Sequence, residues 1–260
     1  MPFNMVGFCE ATPGTGTVPL AVALNEQLYQ VSADDLMITK EAPFVLGVHA
    51  GSVSTGARAI LRQPKMIDYD IIKVCEDSMS SPTCCFTPYM ARPLPLRVDK
   101  LNALIVNATD EVSLIGVMLG SGKITQAMKD AVNPTHVING YSVTTLTTLT
   151  WGHCPITWNE TLDAGVYEVV GMRCGTYIAA AWQMGIARLS IPGSQTWKPG
   201  VPCVRMLADK EEYQNARYEM YSEWPVMGIR FDTQHMPNIE CLSAAAITNE
   251  NVELTLQKVE

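Results

Sequence analysis

The sequence predicts an all-β protein made of two tandem eight-stranded β-sandwiches joined by a short helix. Three observations carry this expectation. Most of the chain reads as short apolar and β-branched runs separated by Gly, Pro, Asn and Asp. Two stretches then read as imperfect repeats of earlier ones. Residues 101–119, "LNALIVNATDEVSLIGVML", correspond to residues 241–259, "CLSAAAITNENVELTLQKV", with Val112 and Leu114 matching Val252 and Leu254 at an offset of 140. "VLGVHAGS" from Val45 corresponds to "VVGMRCGT" from Val169 at an offset of 124, and each is followed by an Ala-Arg pair, Ala57-Arg58 and Ala187-Arg188. The third observation is a single helical signature between the repeats. In "KITQAMKDAVN" from Lys123, residues Ile124, Ala127, Met128 and Ala131 fall on one helical face, and Pro134 ends the run. The expected division is therefore residues 1–122, a connecting helix within 123–135, and residues 136–260.

In order along the first half, strands are expected at "TVPLAVAL", "APFVLGVHAG", "ARAILRQ" and "MIDYDIIKV". The loop "DSMSSPTCCFTPYMARP" follows, and then the strand pair "LPLRVDKLNALIV" and "EVSLIGVML" around the turn "NATD". In the second half the Thr-rich "YSVTTLTTLTW" reads as a strand because β-branched side chains suit a pleated surface. Strands follow at "CPITWNETL", "GVYEVVGMRC", "TYIAAAWQMG" and "ARLSI". "PGSQTWKPGVPC" and the charged "ADKEEYQNARYEMYSEW" read as loops, before "VMGIRFDT", "IECLSAAAI" and "VELTLQKV". About eight strands per half is the count of a jelly roll. Alternation places Val112, Leu114, Val252 and Leu254 inward, and Ser113 and Glu253 toward solvent.

Composition excludes several classes. A chain that is 47% hydrophobic and 17% charged can build a core, and a net charge of −8 argues against a general electrostatic grip on nucleic acid. No run is long and apolar enough to cross a membrane as a helix, and "MPFNMVGFCE" lacks the features of a secretory signal. Eight cysteines without a C-x-x-C spacing read as buried free thiols made in a reducing cytoplasm.

Catalytic and metal motifs are not found. "GSGKIT" at Gly120 has Val117 where a phosphate loop needs Gly, and Ile124 where it needs Ser or Thr. His49, His136, His153 and His235 are scattered, and the adjacent His153 and Cys154 would point to opposite faces of a strand. No G-x-S-x-G or H-E-x-x-H occurs. The expectation is a protein that is not an enzyme, with no catalytic residue, no metal ligand and no cofactor. Of the tryptophans, all in the second half, Trp151, Trp158 and Trp182 read as core. Trp197, in a Pro/Gly-rich loop, is the candidate interface anchor.

With the paired segments at Val45/Val169 and Val112/Val252 and the helix between them, the chain resembles a small member of the double jelly-roll major capsid family. That family includes adenovirus hexon and the capsid proteins of tailless, membrane-containing phages. The resemblance implies a structural virion protein, made in the host cytoplasm. Three copies would form a pseudo-hexagonal tile of an icosahedral shell. The implied partners are other copies of itself, then minor capsid or vertex proteins and an internal membrane, with no sequence-specific nucleic acid. The alternative is a carbohydrate-binding or adhesion β-sandwich of a spike or tail, with Trp197 and Tyr213 as exposed aromatics. A cupin-like enzyme is a third reading, and it would need clustered His and Glu that the sequence does not offer.

Overall fold

The chain opens with a strand that its own pattern hides. "FNMVGFCE" does not alternate apolar with polar, yet it forms β1 (Phe3–Glu10), buried on both faces to its last residue. The computed structural model describes residues 3–12, 14–26, 28–52, 58–63, 71–74, 86–88, 92–108, 113–123, 125–177, 185–192, 197–206, 228–243 and 249–259. Outside them lie Val112, Trp182, Tyr213, Trp224, Cys75, Cys84, Cys85, the charged loop at 208–224 and most of the "DSMSSPTCCFTPYMARP" loop.

After β1 the first half continues with β2 (Gly16–Val22), β3 (Leu36–Met37), β4 (Phe44–Ser52) and β5 (Arg58–Arg62). It closes with β6 (Ile71–Val74), β7 (Phe86–Pro88), β8 (Leu94–Pro95), β9 (Lys100–Ala108) and β10 (Ser113–Gly120). These pair as one ten-stranded sheet in the order β6-β5-β9-β2-β1-β10-β4-β7, with β3 on β9 and β8 on β4. The sheet folds over where β1 meets β2, since only Phe8↔Val22 and Cys9↔Ala21 pair there. Its two arms enclose a core that includes Val6, Phe8, Leu20, Val48, Leu61, Ile105 and Val117.

The helix α1 (Gln126–Asp130) is shorter than the Lys123–Val132 segment the periodicity suggests. Thr125 caps it, its hydroxyl accepting from the Met128 amide at 3.2 Å.

The second half comprises β11 (His136–Ser142), β12 (Gly152–Cys154), β13 (Thr157–Trp158), β14 (Val166–Tyr177) and β15 (Gly185–Ser190). β16 (Gly200–Pro202), β17 (Val204–Met206), β18 (Ile229–Asp232), β19 (Asn238–Ser243) and β20 (Asn249–Lys258) complete it. One sheet runs β13-β11-β20-β14-β17 with β18 also on β14, and the other runs β12-β19-β15-β16. The Thr-rich stretch after Ser142 is not the expected strand. It crosses from one sheet to the other, with Leu149 at a φ of 59° and its amide bonded to the Ser243 carbonyl at 2.8 Å.

Among the described residues the strands pair within their own half, an isolated parallel bridge joins Leu24 to Thr150, and packing also crosses between the halves. One core includes Met5, Leu46, Leu114 and Met118 of the first half together with Ile186, Leu242, Met172 and Leu254 of the second. The β1-β10-β4 face that turns away from the first core is therefore covered by the β12-β19-β15-β16 sheet. This overturns the expectation for Ser113, which is fully buried because both faces of β10 are covered. Glu253, also expected in solvent, is 5% exposed and paired with the buried Arg173 at 3.2 Å. Leu114, Val252 and Leu254 are buried as their alternation requires.

Candidate functional site

The seam between the halves starts from two glycines. Gly7 and Gly116 lie opposite each other across β1 and β10. A Cβ on Gly7 would collide with Leu242, and one on Gly116 would come within 3.0 Å of Ile186. Absent side chains thus make the shallow seat into which two apolar residues of the second half settle.

Beside that seat is a buried charge network whose members come from both halves. Arg188 on β15 is fully buried. Its Nη1 donates to both carboxylate oxygens of Glu26 at 2.8 and 3.0 Å and to the Met5 carbonyl at 3.1 Å, and its Nε donates to Glu240 at 2.7 Å. The guanidinium lies 3.8 Å over the Trp151 ring, while the Trp151 indole N–H donates to Glu26 at 2.8 Å. Lys198 reaches the other Glu240 oxygen at 2.6 Å, and backbone bonds tie its segment to β1, the Met5 amide donating to the Lys198 carbonyl at 2.9 Å.

Such a cluster is costly to desolvate and costly to break. Burial pushes the Glu26 carboxyl up, while Arg188, the Leu28 amide and Trp151 pull against it. Burial also pushes on Glu240, but there Arg188 and Lys198 together outweigh it and hold the carboxyl below its ordinary range.

Trp197, the anchor suggested by the sequence, is partly buried and packs against both cores of its own chain, next to Lys198 at this seam. Glu26, Arg188, Lys198 and Glu240 were not singled out by sequence reasoning. The usable signal was a lone arginine in the otherwise apolar run "GIARLSI".

A second constellation lies between the two sheets of the second half. Cys241 on β19 and Cys203, just past β16, come from one sheet, and Cys174 on β14 comes from the other. Their sulfurs lie within 4.8 Å of one another and all three residues are buried. Cys154, whose thiol donates to the Gly152 carbonyl at 3.7 Å, borders Cys241. Thiols donated by Cys203 and Cys241 hold Cys174 well below its ordinary 9.0, at about 5, and their own thiols are pushed up. Cys9, Cys154, Cys174, Cys203 and Cys241 are all free thiols.

Glu250 on β20 points into the same interior and is fully buried, and neither of its carboxylate oxygens accepts a hydrogen bond. Burial first, then the neighbouring Cys174, raises it to about 7. The Ser142 hydroxyl offsets part of this, but it donates to Thr144 Oγ1 at 3.0 Å. No sequence spacing points to this cluster, because Cys174, Cys203 and Cys241 are 29 and 38 residues apart.

His49 is buried, His136 packs edge-on to Tyr167, and His235 bonds Asp232 at 3.0 Å. An open cleft beside His235 carries Arg230 and Asp232. Its polar groups are engaged with protein, Arg230 with Glu168 at 2.9 Å and His235 with Asp232.

Compared with protein-family models, with curated proteins and with solved structures, the chain matches none.

Proposed function

We propose that this is a structural protein whose function is assembly. In particular, we read it as a double jelly-roll major capsid protein that forms pseudo-hexagonal trimers in a virion shell. The observation that carries the reading is the order in which strands pair. Number the main strands of the first half, β1, β2, β4, β5, β6, β7, β9 and β10, from first to eighth. The arms of the sheet then run first-eighth-third-sixth and second-seventh-fourth-fifth. The second half, taken as β11, β12, β14, β15, β16, β18, β19 and β20, gives the same two orders. This is what results when a long antiparallel ribbon is rolled up, and rolling it is how a jelly roll is made.

The seam supports the trimer. It is heterologous: the first-eighth-third face of one roll meets the second-seventh-fourth-fifth sheet of the next. The corresponding outer face of the second roll carries Val137, Tyr141 and Val143, which are 47%, 44% and 71% exposed. The corresponding outer sheet of the first roll presents Arg58 and Arg62 to solvent on β5, the strand in the place of the one that bears Arg188. Repeating the seam between chains would join these faces, and a rotation that closes makes a ring of rolls, two from each of three chains. No chemistry is required of such a tile. Its partners would be its own copies in the lattice, and then vertex proteins and an internal membrane.

Light scattering with negative-stain microscopy tests the reading. The expected particle is a trimer with a hexagonal outline, and Tyr141→Arg should shift it toward folded monomer. A stable monomer at about 10–50 μM, well above the Kd of an ordinary specific interface, would refute it.

A further inference from the structure

We infer that Cys174, Cys203 and Cys241 bind one soft divalent cation, of the zinc class, with the Glu250 carboxylate as fourth ligand. The site would pin the two sheets of the second sandwich together. The three sulfurs come from both sheets and already lie within 4.8 Å of one another. A tetrahedral zinc site with Zn–S bonds of about 2.3 Å sets its sulfurs about 3.8 Å apart, so the cluster need close by only about 1 Å or less. Thiolate sulfur selects zinc, copper(I) or iron over magnesium and calcium, and zinc is the redox-silent choice for a closed structural site.

Glu250 is the independent observation. Buried thiols alone are unremarkable, since cysteine packs as a small hydrophobe. A fully buried carboxylate with no hydrogen bond to either oxygen is different, because an unpaired buried charge is among the costliest features a core can hold. A cation beside it removes that cost. Cys154 is less suited to the fourth position, because its thiol is directed at the Gly152 carbonyl. The glutamate side chain has the torsions to reach the ion. Binding makes anionic ligands of the three cysteines and the carboxylate and releases whichever thiol and carboxyl protons those four groups hold.

The test uses the full chain expressed in zinc-supplemented medium, and separately in cobalt(II) medium, under reducing conditions. After dialysis against a chelator, elemental analysis should find about one zinc per chain, as expected for a site formed on folding. The cobalt form should show thiolate-to-metal charge-transfer absorption and the d–d bands of a tetrahedral site. Cys203→Ser and Cys241→Ser should lose both signals. Glu250→Gln should lower retention by roughly tenfold or more, on the scale seen when a metal's supporting groups are removed. Cys9→Ser and Cys154→Ser should retain the metal. Three results would overturn the inference: a β-folded native chain with no metal and no cobalt bands, undiminished metal in Cys203→Ser, or a disulfide joining two of the three cysteines. The native-chain measurement decides the matter even if every Ser variant misfolds.

Discussion

Replacing Arg188 by Met isolates the energetics of the seam. Methionine keeps most of the side-chain length and removes the charge and the donors. The native arginine gives two hydrogen bonds to Glu26, one to Glu240 and one to the Met5 carbonyl, and it stacks on Trp151 at 3.8 Å. After the change Glu26 keeps only the Trp151 indole and the Leu28 amide as donors, at 2.8 and 3.0 Å, and remains a buried carboxylate without its cation. Removing one partner of a buried pair costs about 3–5 kcal/mol. The stacking contact is worth up to about 2 kcal/mol, but it overlaps with the first term, so about 4 kcal/mol in all is expected. Against a native stability of about 5–15 kcal/mol the fold survives. Its Tm should fall by roughly 8–16 °C for a chain of this size.

Urea unfolding followed by both tryptophan fluorescence and far-ultraviolet circular dichroism reads the effect. All five tryptophans lie in the second half, so fluorescence reports that sandwich while dichroism reports both. Transitions that coincide in the native chain should separate in the variant, because the network adds to the shared apolar core in coupling the halves. Adding Glu26→Gln to Arg188→Met should recover a large part of the loss, since Glu26 is then no longer a bare carboxylate while Glu240 keeps Lys198. A loss below about 1 kcal/mol in the single variant, or no recovery in the double, would refute the reasoning.

Gly7→Val should cost about 1–3 kcal/mol or more by driving Leu242 out of its seat, with Gly116→Val acting similarly through Ile186; urea titration measures both. Leu114→Ala and Leu254→Ala, each at a fully buried site, should cost about 2–5 kcal/mol in the same assay. The two carboxylates that share Arg188 should titrate in opposite senses. Glu240, held below its ordinary 4.5, stabilises the fold above that pH and loses this contribution as pH falls through its folded value. Glu26, raised by burial, contributes fully below 4.5 and loses that contribution as pH rises. Thermal midpoints taken across the acid range should therefore show a weaker acid decline in Glu240→Gln and a weaker decline toward neutrality in Glu26→Gln.

Much of the strand layout was legible because turn chemistry punctuates it. The strands around Val45, Val169, Leu114 and Leu254 lie where the pattern puts them. Errors cluster where the second half covers the first. The run "FNMVGFCE" does not alternate because β1 is buried on both faces, and Ser113 is buried for the same reason. The Thr-rich crossing after Ser142 shows that β propensity does not decide a segment that finds no partner strand. The partners within the charge network, and the thiol cluster, were not legible. Glu26 and Arg188 are 162 residues apart, and only the stacking of sheets brings such residues together. The Ala-Arg pair in "GIARLS" reads as part of a repeat, while the cost of an arginine in an apolar strand is the more informative fact.

The internal repeat is better defined by a defect than by matched residues. In the first half the pairing of β10 with β4 slips between Met118 and Leu119, so that Leu46 is skipped. In the second half the pairing of β20 with β14 slips so that Val170 is skipped. Leu46 and Val170 are 124 residues apart, the same offset that relates Val45 to Val169. A bulge is a local feature with a specific backbone geometry, and two in equivalent places argue for a common origin of the halves. The shared bulge also corrects the offset of the last strands. Leu119 and Leu256 lie opposite Val45 and Val169, and Val117 and Leu254 lie opposite Val48 and Met172. The separation is 137 residues and not 140. Under this register Val117 faces the first core, whereas Leu114 faces the other way and belongs, with Leu254, to the core that both halves share. A three-residue error flips the face, because side chains alternate along a strand. The counterpart of Leu114 is then Asn251, opposite Gly175 as Leu114 is opposite Gly51. Leu114 meets the second half of its own chain and is apolar. Asn251 is half-buried on the face of β20 that also carries the buried Glu253, with Arg173 opposite it, so this is a polar face where the equivalent face of β10 is apolar.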